Sequence, residues 1–232
     1  MDSALLVRRA RHAVRPRLDL LPDPGPLRSL AILSGSFDPI TVGHEALARE
    51  AVARAGMVAL VYSVRTLPKE RSDPPSLLNE EARLEVLERF CAARPAHALG
   101  VASHGLLWEQ VEAAAQRFPD ADLWLVMGSD KVLQLLDPKW YDDRNAVLRD
   151  LFAKARVLYG DRAGQEGRVE AVLRLAPNRT WSDRVERILL PPEVASVSSR
   201  VVRELLRRGE VVDELLPPEA RAALRNVAPP AG

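Results

Sequence analysis

Three short stretches of this 232-residue chain carry residue types that suit phosphate chemistry. GSFDPITVGH, residues 35–44, places two glycines and His44 around a turn that follows the apolar run LAIL. Glycine lets a backbone turn tightly and come close to a ligand. A helix that starts there offers free N–H groups and a positive dipole end to an anion, and His44 adds a donor. SVSSRVVR, residues 196–203, sets Ser196, Ser198 and Ser199 before a helix, with Arg203 one turn in. The serines can cap free N–H groups, and an arginine fork suits phosphate. MGSDKVLQLLDPKW, residues 127–140, follows another apolar run. Asp130 there can accept from ribose hydroxyls, and the flat face of Trp140 suits a heterocycle. Each stretch has a plainer account: a tight turn with a capping histidine, ordinary serine capping, and a tryptophan packed in the core. Neither GxxxxGK[ST] nor GxGxxG is present.

The elements that must hold these residues alternate. Strands are expected at 30–33, 58–64, 98–102, 123–127, 156–159 and 187–190. Helices are expected at 46–55, 78–93 (with Asn79 as a cap), 106–118, 199–208 and 218–225. Continuous apolar strands alternating with helices predict an α/β fold: a Rossmann-like parallel sheet with helices on both faces and a small C-terminal helical portion. In such sheets ligands sit beyond the carboxyl ends of the strands, where the three stretches fall. Residues 65–76, RTLPKERSDPPS, read as a proline-rich loop.

Composition narrows the class. Hydrophobic residues at 47% and charged residues at 28% indicate a globular chain, and a net charge of +1 gives no reason to expect a nucleic-acid or membrane partner. A single cysteine, Cys91, excludes an intrachain disulfide and suits a reducing, cytoplasmic setting. The four histidines show no metal-type pairing, and no apolar run approaches a membrane span. Residues 1–27, with their arginines and the run PDPGP, read as an N-terminal extension of one short helix and a linker. Residues 28–232 then form one domain.

The first stretch resembles the (H/T)xGH signature of the adenylyl- and cytidylyltransferase superfamily, with Thr41 at its first position. The second resembles that superfamily's I-S-S-T-x-x-R signature, through Val197, Ser198, Ser199 and Arg203, but with Arg200 where threonine is usual. G-x-D followed by a tryptophan resembles the nicotinamide and nicotinate mononucleotide adenylyltransferases. The likeness covers roughly residues 28–228. It implies adenylyl transfer from ATP to a pyridine mononucleotide, with Mg²⁺ carried by ATP. His44, Thr41 and Arg203 would be the catalytic groups. Gly35, Ser36, Phe37, Gly43, Gly128, Asp130, Ser198 and Ser199 would join His44 and Arg203 in binding ATP. Ser36, Lys69, Trp108 and Trp140 would meet the mononucleotide. Arg83 lies in a helix that resembles the same family's R-L-x-x-L segment, and a solvated Lys69 or Arg83 is an equal reading. Gln110 falls where the W-x-E-T segment of other members has threonine, so the acid or amide preference stays open. Other readings are another adenylyltransferase, such as phosphopantetheine adenylyltransferase, or a nucleotide-binding regulator without turnover. A homo-oligomer is left open.

Overall fold

The computed structural model describes residues 2–65 and 76–225. In chain order they form α1 (Ser3–His12), β1 (Leu18–Leu21), β2 (Ser29–Ser34), α2 (Val42–Ala55), β3 (Val58–Ser63), α3 (Glu80–Ala92), β4 (His97–Ala102) and α4 (Leu107–Arg117). Then follow β5 (Asp122–Gly128), α5 (Ser129–Leu136), α6 (Arg144–Lys154), β6 (Ala155–Gly160), α7 (Arg168–Leu173), β7 (Val185–Ile188), α8 (Pro192–Ala195), α9 (Ser199–Arg207) and α10 (Pro218–Leu224). The strands make one sheet in the order β1-β4-β3-β2-β5-β6-β7. The pairs from β4 to β7 are parallel, with Leu33 opposite Leu60 on one side and Val126 on the other. The chain builds outward from β2 in both directions, so a crevice opens between the carboxyl ends of β2 and β5.

Alternation along β2 explains the two layers. Ala31 and Leu33 face a core with α2, α3 and α9; Leu30 and Ile32 face a second core with α4, α5 and α6. Strands buried on both faces leave little room for polar residues, and β5 is buried from Leu123 to Gly128. Asn79 caps α3 by accepting from the Ala82 N–H at 2.8 Å, as its position before an amphipathic run predicts. No helix among the described residues is long and apolar enough to cross a membrane.

Two expectations need correction. Residues 18–21, expected in the N-terminal extension, join the sheet as β1, an antiparallel edge strand beside β4 on the expected parallel sheet. Leu18 and Leu20 pack inward while the intervening Asp19 is buried and bonded to Arg17 at 2.7 Å and Arg117 at 3.0 Å. Four residues framed by prolines are too short a pattern to read as a strand, and an acid paired from outside its own element is invisible to periodicity. The helix α1 was expected, and it packs Leu6 and Ala10 into the core. The last strand also sits two residues earlier than expected, at Val185–Ile188.

Candidate active site

The turn after β2 is built around Phe37. Its backbone is left-handed, with φ of 47°, and its ring lies in the core. A Cβ on Gly35 would stand 3.2 Å from that ring, so a side chain there would crowd it. The ring edge meets His44 at a centroid distance of 5.2 Å. Thr41 caps α2, and its N–H donates to His44 Nδ1 at 3.1 Å, with its hydroxyl 2.8 Å from the same nitrogen. An Nδ1 that accepts must be unprotonated, so the ring proton sits on Nε2. Burial first, and the charge of Arg162 second, push the imidazole down from its ordinary 6.5 to about 3. His44 is therefore a neutral N–H donor at the edge of a cavity.

The second serine-rich stretch is stitched onto this turn. A Cβ on Gly43 would meet the Val197 carbonyl at 2.5 Å, so only a glycine lets α2 begin this close to residues 194–197. The Ser199 hydroxyl donates to the Pro39 carbonyl at 2.8 Å, and Arg203 Nη1 donates to the Asp38 carbonyl at 2.6 Å. Ser198 caps α9 through the Val201 N–H. Burial lowers the Arg203 pKa from the usual arginine value.

Between these ends lies a cavity of about 420 Å³. Of the expected residues, Gly35, Ser36, His44, Gly128, Asp130, Arg203, Trp108 and Trp140 line it. Trp108 and Trp140 are 39% and 47% exposed, which argues against core packing for either. Thr41 and Phe37 lie behind His44, Gly43 sits in the packing contact, and Ser199 is turned to Pro39. Ser198 lines a smaller adjoining cavity with Ser196, Asp130 and Arg162. Lys69 lies outside the described residues. Arg200 lines the main cavity and pairs with Glu204 at 3.2 Å. Gln110 lines it too, donating through Nε2 to the His104 carbonyl at 3.2 Å.

A family model described as cytidylyltransferase-like matches residues 32–204. The chain belongs to this cytidylyltransferase-like family. Among relatives, a probable nicotinate-nucleotide adenylyltransferase of Neisseria meningitidis serogroup B is 27% identical over 206 residues, covering 86% of this chain and 97% of that protein. One from Rubrobacter xylanophilus is 26% identical, covering 83% and 87%. Among solved structures, Plasmodium falciparum nicotinic acid mononucleotide adenylyltransferase complexed with APC is 14% identical with a TM-score of 0.63, covering 85% of this chain and 94% of that one. At that identity the likeness shows a shared fold.

Within this cytidylyltransferase-like fold, Arg162 is a site cation that the sequence motifs do not include. Arg162, two residues past β6, donates from Nη1 to the Val197 carbonyl at 2.8 Å, with its Nε 3.6 Å from Asp130. A Cβ on Gly128 would fall 2.7 Å from that Nε, so Gly128 leaves room for the pair. The signal was available: Arg162 follows a strand at the same end as the other motifs. Lys131, Gln134, Tyr62 and Tyr141 also line the cavity and were not singled out. Lys131, Arg162, Arg200 and Arg203 with one acid, Asp130, give a wall biased toward polyphosphate. Among the described residues no group of three His, Cys, Asp or Glu could hold a metal ion.

Proposed function

We propose that this chain joins the adenylyl group of ATP to nicotinate or nicotinamide mononucleotide, giving the dinucleotide and pyrophosphate. The observation that carries this is the cavity itself. Its wall brings His44, in the first turn of α2, and Arg203, one turn into α9, together with two half-exposed tryptophans, Trp108 and Trp140. The relatives named above, and a Plasmodium falciparum adenylyltransferase complexed with NaAD, support the same substrate class.

The reaction needs no protein nucleophile. A phosphate oxygen of the mononucleotide attacks the α-phosphorus in line, the bond from that phosphorus to the bridging oxygen breaks, and pyrophosphate leaves with the electrons. Catalysis is then positioning and charge stabilisation. Neutral His44 donates from Nε2 as charge gathers on the phosphates, with Thr41 holding the ring. Arg203 faces the β- and γ-phosphates. Asp130 meets the adenosine part, and Trp108 and Trp140 flank the pyridine ring. Mg²⁺ enters with ATP as part of the substrate and keeps several waters. A cytoplasmic setting goes with this reading.

Pyrophosphate release tests it, using purified protein, Mg-ATP and a panel of nicotinate mononucleotide, nicotinamide mononucleotide and phosphopantetheine. Release with a pyridine mononucleotide and not with phosphopantetheine is expected. Release with phosphopantetheine alone would replace the substrate, and binding of ATP without release from any of the three would make the chain a regulator.

A further inference from the structure

Asp38 lies in the middle of the first turn, is 4% exposed, and has no part in the chemistry above. Its Oδ1 accepts from the Leu78 N–H at 2.9 Å, and both oxygens lie 3.2 Å from the Leu77 N–H. Oδ2 also accepts from the Ser76 hydroxyl at 2.8 Å. Two guanidiniums approach the same carboxylate: Arg83 at 3.7 Å and Arg203 at 3.8 Å. The Arg203 nitrogen that approaches it is the one that donates to the Asp38 carbonyl.

Arg203 is in an unfavourable place for a cation. Its side chain is 13% exposed, its Nε is buried and meets no acceptor among the described residues, and Arg83, Arg200 and Arg207 add like charge around it. A buried cation needs a compensating charge and a fixed direction. Asp38 supplies both, through its carboxylate and its carbonyl. The backbone donors of residues 77 and 78 hold the carboxylate still, so the guanidinium docks on a rigid partner. A guanidinium is a planar fork, and fixing one nitrogen restricts where the others point.

We infer that Asp38 is the positioning residue for Arg203, and that it sets the affinity for a nucleoside triphosphate without touching it. This rests on the proposed placement of the ATP phosphates beside Arg203. The carboxylate is not among the residues that line the cavity with Trp108 and Trp140, so mononucleotide binding is not expected to depend on it.

The test is a double-mutant cycle with Asp38→Asn, Arg203→Ala and both together. Binding of a magnesium-bound, non-hydrolysable ATP analogue is measured by calorimetry, and the mononucleotide KM by pyrophosphate release. Loss of one charge-assisted contact predicts that Asp38→Asn weakens the analogue roughly tenfold. The mononucleotide KM stays unchanged, and the double variant binds no more weakly than Arg203→Ala alone. Wild-type affinity in Asp38→Asn, or losses that multiply in the double variant, would overturn the inference. Should Asp38→Asn melt below the assay temperature, Asp38→Glu keeps the charge but displaces it, and the same non-multiplying pattern is required. Analogue binding that depends on Asp38, with no release from any mononucleotide, would sink the proposed reaction and leave this inference standing. A protein that bound no analogue would overturn both.

Discussion

His44 shows how one side chain acquires a role from its neighbours. The Thr41 N–H fixes the tautomer, and burial keeps the ring neutral. Removing such a donor typically costs about 10²–10³ in rate. His44→Ala is therefore expected to keep its melting temperature near wild type and to lose at least that much in kcat for pyrophosphate release. The depressed pKa also has a sign for stability. Above 6.5 the ring is neutral both folded and unfolded. As pH falls from 6.5 toward about 3 the unfolded chain takes up a proton that the folded ring refuses, so stability is lost across that window. Urea midpoints measured at pH 7 and pH 4.5 are expected to differ less in His44→Gln than in wild type, and an equal drop would contradict the depressed pKa of this ring. Trp108→Ala is expected to raise the mononucleotide KM roughly two- to tenfold, the worth of one aromatic contact, while the ATP KM stays put. His44, Asp130 and Trp108 are legible in the sequence because each sits in the first turn of a helix, and Trp140 through its spacing from G-x-D. Arg162 was not singled out, since its value comes from Val197 and Asp130, both more than thirty residues away.

At the scale of elements, the site depends on how closely α2 and α9 approach. Gly43→Ala would drive a methyl into the Val197 carbonyl at 2.5 Å, where backbone rather than a flexible side chain must yield. The two helix starts would separate, and the expected result is a folded protein with ATP affinity reduced at least tenfold, read by calorimetry. The serines before α9 are legible as its start, because capping is local; α2, expected from residue 46, begins at Val42 behind Thr41. The sequence could not show the contact of these two helix starts, which joins residues some 150 positions apart. The same limit hid β1: its alternation spans only Leu18 to Leu21, and the partners of Asp19 lie partly in α4.

Across the whole molecule, two apolar layers hold a mostly parallel sheet, and ligand is expected to tighten it. A ligand at one hundred times its Kd adds about 2.7 kcal/mol. For a chain of this size that corresponds to a rise in Tm of roughly 5–10 °C. A thermal melt with saturating Mg-ATP checks this, and no shift would speak against a native ATP site. The order in which the sheet can close follows from β1. Leu18 pairs with Ala102, so residues 18–21 leave the ribosome some eighty residues before their partner strand. At about 5–20 residues per second, that strand waits roughly 4–16 s with its apolar face uncovered. The β2–β3 pairing, by contrast, joins strands only about thirty residues apart and can form first. The outermost strand is thus made early and placed late. From the moment β4 is made until β1 docks, the far edge of β4 is open to any extended chain that reaches it first.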